Sequence, residues 1–436
     1  MGQSARVDQS VREAMVGICD ANNFYVSCER VFNPALNGRP TVVLSNNDRC
    51  IIARSNEAKA IGLKMGQPIY QVRDTLCTHN VVLCSPNFPL YQDMSDRMMT
   101  ILQRFAPAII YSIDEAFLDF RGFDPGKLDA LGHTISRTVR HSTGLPVSIG
   151  IAPTKTLAKI ASKLCKKYPK LNGCCFMHKA EDIEKVLKKF PVGDVWGIGR
   201  RYEKMLISEG VNTAYDFTQM PPEWVRKKMS VVGLRTWKEL RGEPCIEIDE
   251  IAPDKQQICT SRSFPSEVRD FDTLHTAVAS FTATCAEKLR RQKSVCGEIY
   301  VFVYTDRHKE QAQSFGRRVV KLTTPTDSTL ELTAVAANAF KQIFESGFGY
   351  KKAGVILGDI SPKTGVQTSL FDPVDRSKHS RLMAVMDDLN RRQGRGTVAV
   401  AASRHKLLET VHEHLSRRFT TDLNDILKVK AKDEGR

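Results

Sequence analysis

Apolar residues in the first 190 positions fall into short runs set between longer stretches with helical spacing. Residues 15–20 (MVGICD) read as a buried strand ending in a carboxylate, and the following NNFYVSCE has helix-entry character with Asn as its cap. Residues 41–44 (TVVL) predict a second strand, then a polar loop and a helix over 55–61. The β-prone runs 108–111 and 116–120 are joined by Ser112-Ile113-Asp114-Glu115, which places adjacent acids among apolar neighbours. Residues 146–151 (PVSIGI) predict another strand, followed by a helix over 154–167. Strands alternating with helices predict an α/β core. Residues 1–14 precede the first strand and read as an extension.

Beyond Pro191 the texture changes. Val195-Trp196-Gly197-Ile198-Gly199, an amphipathic stretch over 200–209 and Gly210-Val211 predict two short helices around a tight glycine turn. After a linker-like break at 251–254 (IAPD), residues 256–359 read strand, helix, strand, strand, helix, strand. The strands fall near 258–264, 298–304, 319–322 and 352–357, and the helices near 273–292 and 328–345. A βαββαβ order folds as one sheet with both helices on a single face. A polar tail with further helical patterning occupies 361–436, and no repeat or low-complexity tract is present.

Composition narrows the class. A hydrophobic fraction of 42% over 436 residues excludes whole-chain disorder, and no run reaches the roughly 18 apolar residues of a membrane helix. Residues 1–14 carry Arg6, Asp8, Arg12 and Glu13 and lack an apolar stretch, so no secretory signal is read there and a soluble intracellular chain is expected. The twelve cysteines form no C-x-x-C pair and read as reduced, structural thiols. The net charge of +15 points to a polyanion, nucleic acid first, with a ligand-free cationic surface as the alternative.

Three carboxylates carry candidate chemistry. Asp20 ends one predicted strand, and Asp114 and Glu115 interrupt another. Carboxylates at apolar strand ends are costly to desolvate without a cation or hydrogen-bond donors. Mg2+ takes carboxylate oxygens and substrate phosphates, and two ions about 3.5–4 Å apart suit in-line attack at phosphorus. Helix capping or pairing with arginines is the alternative for each acid taken alone. Lys155 and Lys159 share a face of the helix predicted over 154–167, within a run of six lysines and no acid from 155 to 170. Arg54 and Lys59 lie on or beside a second predicted helix. Such faces hold an anion or are simply solvated. Gly197-Ile198-Gly199 before a basic helix start suits either backbone binding of a DNA phosphate or a plain packing corner.

The string Asp20-Ala21-Asn22-Asn23-Phe24-Tyr25-Val26-Ser27-Cys28-Glu29, with Tyr111-Ser112-Ile113-Asp114-Glu115-Ala116-Phe117, closely resembles the Y-family translesion DNA polymerases. Within that family the chain is most similar to the UmuC type, the catalytic subunit of bacterial DNA polymerase V. Val43-Leu44-Ser45-Asn46-Asn47-Asp48 and Cys50-Ile51-Ile52-Ala53-Arg54 look like its fingers segment. Val195-Trp196-Gly197-Ile198-Gly199-Arg200-Arg201 and Leu240-Arg241-Gly242-Glu243-Pro244-Cys245 look like its thumb. Val385-Met386-Asp387 through Gly394-Arg395-Gly396-Thr397 resembles a tail that the shorter polymerase IV type lacks. The resemblance runs from Met15 to about position 430.

What this resemblance implies is an α/β (α+β) multidomain, right-hand-like polymerase. Its parts would be palm (15–30 and 81–190), fingers (31–80), helix-hairpin-helix thumb (191–250), βαββαβ little finger (251–360) and tail (361–436), after the extension 1–14. It implies Asp20, Asp114 and Glu115 as catalytic, metal-binding acids, the Ala21 carbonyl as a further ligand and two Mg2+ ions as cofactor. Tyr25, beside Phe24, would be the steric gate beneath the incoming sugar; read alone, Tyr25 is a core aromatic. Lys59 and Lys159 would meet the dNTP triphosphate, with Arg54 and Lys155 beside them. Gly197, Ile198 and Gly199, with Arg262, Arg290, Arg291, Lys293, Arg317, Arg318 and Lys321, would grip primer-template DNA in a salt-sensitive way. Gln367-Thr368-Ser369-Leu370-Phe371 resembles a sliding-clamp peptide, with Gln367, Leu370 and Phe371 as anchors. Arg49 stands where such fingers loops often have Gly, which bears on the backbone there. Implied partners are a processed UmuD dimer, the RecA filament and the sliding clamp, in the cytoplasm at the nucleoid during the SOS response. The expected function is error-prone synthesis past damaged bases. A polymerase IV-type enzyme is the alternative; a palm-like cyclase or a non-catalytic damaged-DNA binding protein stands further off.

Overall fold

A computed structural model describes residues 15–247, 254–366, 374–394, 396–403 and 410–426. The chain divides into two units, Met1–Ile251 with His412–Arg436, and Ala252–Val411. The first unit runs β1 (Val16–Ala21), α1 (Phe24–Phe32), β2 (Thr41–Leu44), β3 (Ile51–Arg54), α2 (Asn56–Ala60), α3 (Arg73–Thr78), β4 (Val82–Cys84) and α4 (Phe88–Leu102). It continues through β5 (Ala108–Ile110), β6 (Glu115–Asp119), α5 (Pro125–Thr143), β7 (Val147–Ala152), α6 (Lys155–Lys167), β8 (Cys174–Phe176), α7 (Ala180–Leu187), α8 (Arg200–Ser208), α9 (Ala214–Thr218) and α10 (Pro222–Leu240).

Five of these strands form one sheet in the order β5-β6-β1-β7-β8, with β1 at its centre and antiparallel to both neighbours. Alternation along β1 sorts its side chains. Cys19 and Ala21 join the core that includes residues of α1, α4 and α5, while Val16 and Ile18 join a second core with residues of α6 and α10. Gly150 on β7 permits the close approach of α6, because a Cβ there would lie 2.1 Å from the Ala158 carbonyl oxygen. A separate three-stranded sheet, β3-β2-β4, encloses a small core of its own with Ala58, Leu63, Val72 and Leu76. Ser55 caps α2 by accepting from the Ala58 amide. Asn23 occupies the N-cap of α1 at φ 50°, but its side chain makes no cap bond. The expected Asn cap is therefore corrected: that side chain turns to Lys59 and Asn56 instead.

The second unit runs β9 (Ile258–Val268), α11 (Phe271–Arg291), β10 (Ser294–Thr305), β11 (Phe315–Thr326), α12 (Thr329–Lys341), β12 (Tyr350–Pro362) and α13 (Arg376–Gln393). This is the βαββαβ order, and it forms one antiparallel sheet, β11-β10-β12-β9. Ile299, Val301 and Val303 of β10 are buried with residues of α11 and α12. The helix α13 seats Met383 in the unit and ties Asp387 to Arg290. Among the described residues no helix is long and apolar enough to cross a membrane.

Beyond Pro191 the expected two short helices around a glycine turn are α8 and α9, with Gly210 between them at φ 81°, and a 3-10 turn, Val192–Asp194, precedes Gly197. Arg49 resolves the question of the loop near position 47: it adopts right-handed backbone at φ −95°, while Asn47 and Asp48 take the positive φ values.

Candidate active site

Asp20 on β1 lies directly opposite Glu115 on β6, so the two carboxylates project from one face at the same end of the sheet. The amide of Ala21 donates to the carbonyl of Asp114 at 2.9 Å, which brings the third acid beside them. The Ser112 hydroxyl donates to Asp114 Oδ1 at 2.6 Å. This face is the one that also presents Ile18 and Phe117, and α6 covers it. Two lysines of α6 meet the acids: Lys166 Nζ is 2.6 Å from Asp20 Oδ1, and Lys159 Nζ is 2.9 Å from Glu115 Oε2. Lys159 sits 4.4 Å from the Tyr111 ring centroid and 5.2 Å from that of Trp196, whose indole N–H donates to the Tyr111 hydroxyl. Burial pushes the Asp20 carboxyl up to about 6; Lys166 opposes that shift and Glu115 adds to it.

These residues fit divalent cations. Asp20 and Glu115 repel one another, and an ammonium group already approaches each of them, so the site calls for positive charge. Lys166 was not singled out from sequence. It lies seven residues after Lys159, two turns along the same helix face, and that spacing was the available signal.

Tyr25, on the first turn of α1, is half-buried and stacks on Tyr91 with ring centroids 4.5 Å apart and planes at 18°. Asp114 is close enough to raise the Tyr25 hydroxyl further above its usual range, beyond the larger effect of burial. Phe24 places its side chain in the core, only 4% exposed, behind the Tyr25 ring. From α2, Lys59 reaches Asn23 Oδ1 with its Nζ. Its ammonium is pulled below the usual lysine range by desolvation and by the charges of Arg54 and Lys166, against the pull of Asp20. Lys59, Arg54 and Lys166 thus form a cationic rim near the acids, although Arg54 also spends a donor on the Leu63 carbonyl. Lys155 does not belong to it. Its side chain is buried and its ammonium donates to the Glu247 carbonyl at 2.6 Å, so the expected triphosphate role is corrected to a structural one.

At the glycine turn, Gly197 takes φ 91°, Ile198 buries its side chain and Gly199 occupies the N-cap of α8 with no side-chain cap. Backbone, not the Ile198 side chain, is what this turn offers. In the second unit Arg317, Arg318 and Lys321 are exposed on the edge strand β11, and Arg262 is exposed on β9 at the other edge. Register separates them: Arg317 pairs with Phe302, whereas Arg318 pairs with the core residue Val301. Tyr300, Phe302 and Tyr304 line the same strand beside Lys352, an aromatic ladder that the sequence reading passed over. Arg290 is corrected. Its guanidinium makes two 2.7 Å bonds to Asp387 and further bonds to the Asp327 carbonyl and Thr329, so it ties α11 to its neighbours instead of facing DNA. The expected clamp anchors Gln367, Leu370 and Phe371 lie outside the described residues.

Solved Y-family DNA polymerases share this architecture. A chimera built on the polymerase Dbh superposes with a TM-score of 0.64 at 20% identity, covering 80% of this chain and 99% of that one. A Dbh ternary complex gives 0.53 over the same shares. The fold, with its acids at the sheet end, is that of a Y-family DNA polymerase, a class that works with divalent metal ions. More narrowly, the chain belongs to the impB/mucB/samB family: that family's model matches residues 19–163, its C-terminal domain model matches 255–370, and a domain of unknown function, DUF4113, matches 380–429. Protein UmuC of Salmonella typhimurium is 42% identical over 95% of this chain and all of its own length. Protein ImpB of Salmonella typhimurium is 40% identical over 94% of this chain and 99% of its own. DNA polymerase IV of Moorella thermoacetica is 28% identical over 88% of this chain and 95% of its own. The UmuC-like reading therefore prevails over the polymerase IV alternative.

Proposed function

We propose that this chain extends primers past damaged template bases as the catalytic subunit of an error-prone, UmuC-type polymerase in the SOS response. The observation that carries the reading is the pairing of Asp20 with Glu115 at one end of the sheet, with Asp114 bonded to the next residue of β1 and close to the half-buried Tyr25. When bound on these acids, two Mg2+ ions supply the charge that activates the primer 3′-hydroxyl and stabilises the leaving pyrophosphate. Asp20, Asp114 and Glu115, with the Ala21 carbonyl, hold the ions. Lys59, Lys166 and Arg54 attract the triphosphate, and Lys159 orients Glu115 through its ion pair. Tyr25, with Phe24 behind it, receives the deoxyribose and leaves no space for a 2′-hydroxyl. The glycine turn at Gly197, Ile198 and Gly199 and the exposed Arg262, Arg317, Arg318 and Lys321 hold the duplex backbone. Gln367, Leu370 and Phe371 engage the sliding clamp, and the processed UmuD dimer and RecA filament complete a cytoplasmic, nucleoid-associated assembly. The test is primer extension on a template with one abasic site, with those partners, Mg2+ and dNTPs present. Products that pass the lesion support the reading. Efficient extension on undamaged template with a stop at every abasic site would reject translesion synthesis.

A further inference from the structure

The end of the chain returns to the first unit and grips the helix that carries Tyr25. Residues 25, 29 and 32 of α1 stand at i, i+4 and i+7, one stripe of the helix. Tyr25 stacks on Tyr91 of α4, and the Tyr91 hydroxyl donates to Glu29 Oε1 at 2.7 Å. Glu29 is only 3% exposed, and the same Oε1 accepts a second bond, at 3.1 Å, from the hydroxyl of Ser416, 387 residues away in sequence. Phe32 stacks face to face on Phe419, with centroids 4.8 Å apart and planes at 6°.

The same segment is fastened on two more sides. Asn87, the N-cap of α4, donates its side-chain amide to the Ser416 hydroxyl at 2.9 Å and to the Arg417 carbonyl at 3.1 Å. Ser85 and His414 exchange hydrogen bonds through the Ser85 amide and hydroxyl, both at 2.9 Å. Asp48, in the turn between β2 and β3, accepts from the Glu413 amide at 2.8 Å and from the Ser85 hydroxyl at 2.7 Å. The strap thus joins the three-stranded sheet, the entry to α4 and α1 at one place.

We infer that the segment from Glu413 to Phe419 is a built-in support for the sugar-selecting aromatic, with Ser416 as the positioning residue. A buried carboxylate holds its place only while its donors are present. Ser416 and Tyr91 supply the two donors to Oε1, and Tyr91 is also the surface on which the Tyr25 ring lies. Removing the Ser416 hydroxyl frees Glu29 and, through it, the Tyr91–Tyr25 stack, so the gap beneath the sugar widens. Ser416 touches no substrate; it acts through Glu29 and Tyr91. This inference rests on the reading of Tyr25 as the steric gate.

The experiment measures dNTP and rNTP incorporation opposite an undamaged template base by the full chain with its processed UmuD dimer and RecA filament. Ser416→Ala is expected to raise rNTP relative to dNTP incorporation about tenfold, the lower end of the scale of one lost hydrogen bond to a buried charged group. The change should appear in KM for the ribonucleotide, with dNTP kcat held, and Ser416→Thr should restore the wild-type ratio. Phe419→Leu, which keeps an apolar plug, gives a second reading in the same direction should Ser416→Ala fail to fold. Tyr25→Ala serves as the reference. Relaxed selection in Tyr25→Ala with none in Ser416→Ala and Phe419→Leu overturns the strap inference and leaves the gate standing. Unchanged selection in Tyr25→Ala overturns the gate reading and the inference with it.

Discussion

Asp20 shares a strand face with Ile18, so the fold places an acid where apolar side chains otherwise go. Burial raises its carboxyl from the ordinary 3.8 to about 6, against the favourable charge of Lys166. The folded chain therefore holds this proton more tightly than the unfolded chain, and Asp20 subtracts stability as pH rises from about 4 to about 6, a loss that persists above that range. A divalent cation binds the deprotonated carboxylate and offsets the loss. Adding Mg2+ to the metal-free protein should raise Tm more at about pH 8 than at about pH 5; equal shifts in a thermal melt would contradict the assignment. Lys166→Ala should move the acid limb of the activity profile to higher pH, because the nearest opposing charge is gone. A limb that stays in place would exclude Lys166 from the site. In the sequence, Lys166 is one of six similar lysines, and only the packing of α6 across β1 and β6 distinguishes it from Lys155, which the same helix turns inward to Glu247.

Among the elements, apolar strands were legible even when short, β2 and β5 included, whereas β4, β8 and the long helices α4, α5 and α10 were not. Strands such as β1 and β7 carry enough apolar residues to declare themselves, and the βαββαβ order was read from patterning alone. The strands β4 and β8, three residues each, carry no usable period, and they exist because a neighbouring strand offers hydrogen bonds. The helix α5 holds Gly132, a poor helix former, but a Cβ there would lie 2.3 Å from Cys174 Sγ. The local cost accepts a tertiary gain that no window of sequence displays. Gly150 makes the same point in a strand: Gly150→Ala should destabilise the protein by about 3 kcal/mol by forcing α6 away from β7, read by chemical denaturation. At the glycine turn, Gly197→Ala meets φ 91° and the Thr236 hydroxyl, so it should weaken DNA binding as well as stability. DNA affinity equal to wild type would remove this turn from the interface.

Across the whole molecule, charge and chain path matter more than any single element. The net +15 comes to function through exposed cations, and the structure separates these from cations spent on folding. Arg317→Ala should lower the slope of log Kd against log salt by about one, whereas Arg290→Ala should leave that slope unchanged and cost stability through Asp387. Equal slopes for both variants would remove β11 from the DNA surface. The strap from Glu413 to Phe419 was illegible for a different reason: it is held by backbone groups and hydroxyls whose partners lie more than 300 residues earlier. The central claim is that Asp114 and Glu115 perform chemistry. It is tested most directly by primer extension and DNA binding measured on the same Asp114→Ala/Glu115→Ala protein, beside the wild type, with the partners and Mg2+ present. Extension should disappear while DNA affinity remains within about threefold of wild type, because the exposed cations proposed to hold the duplex are left in place. Extension retained by the double variant would contradict it.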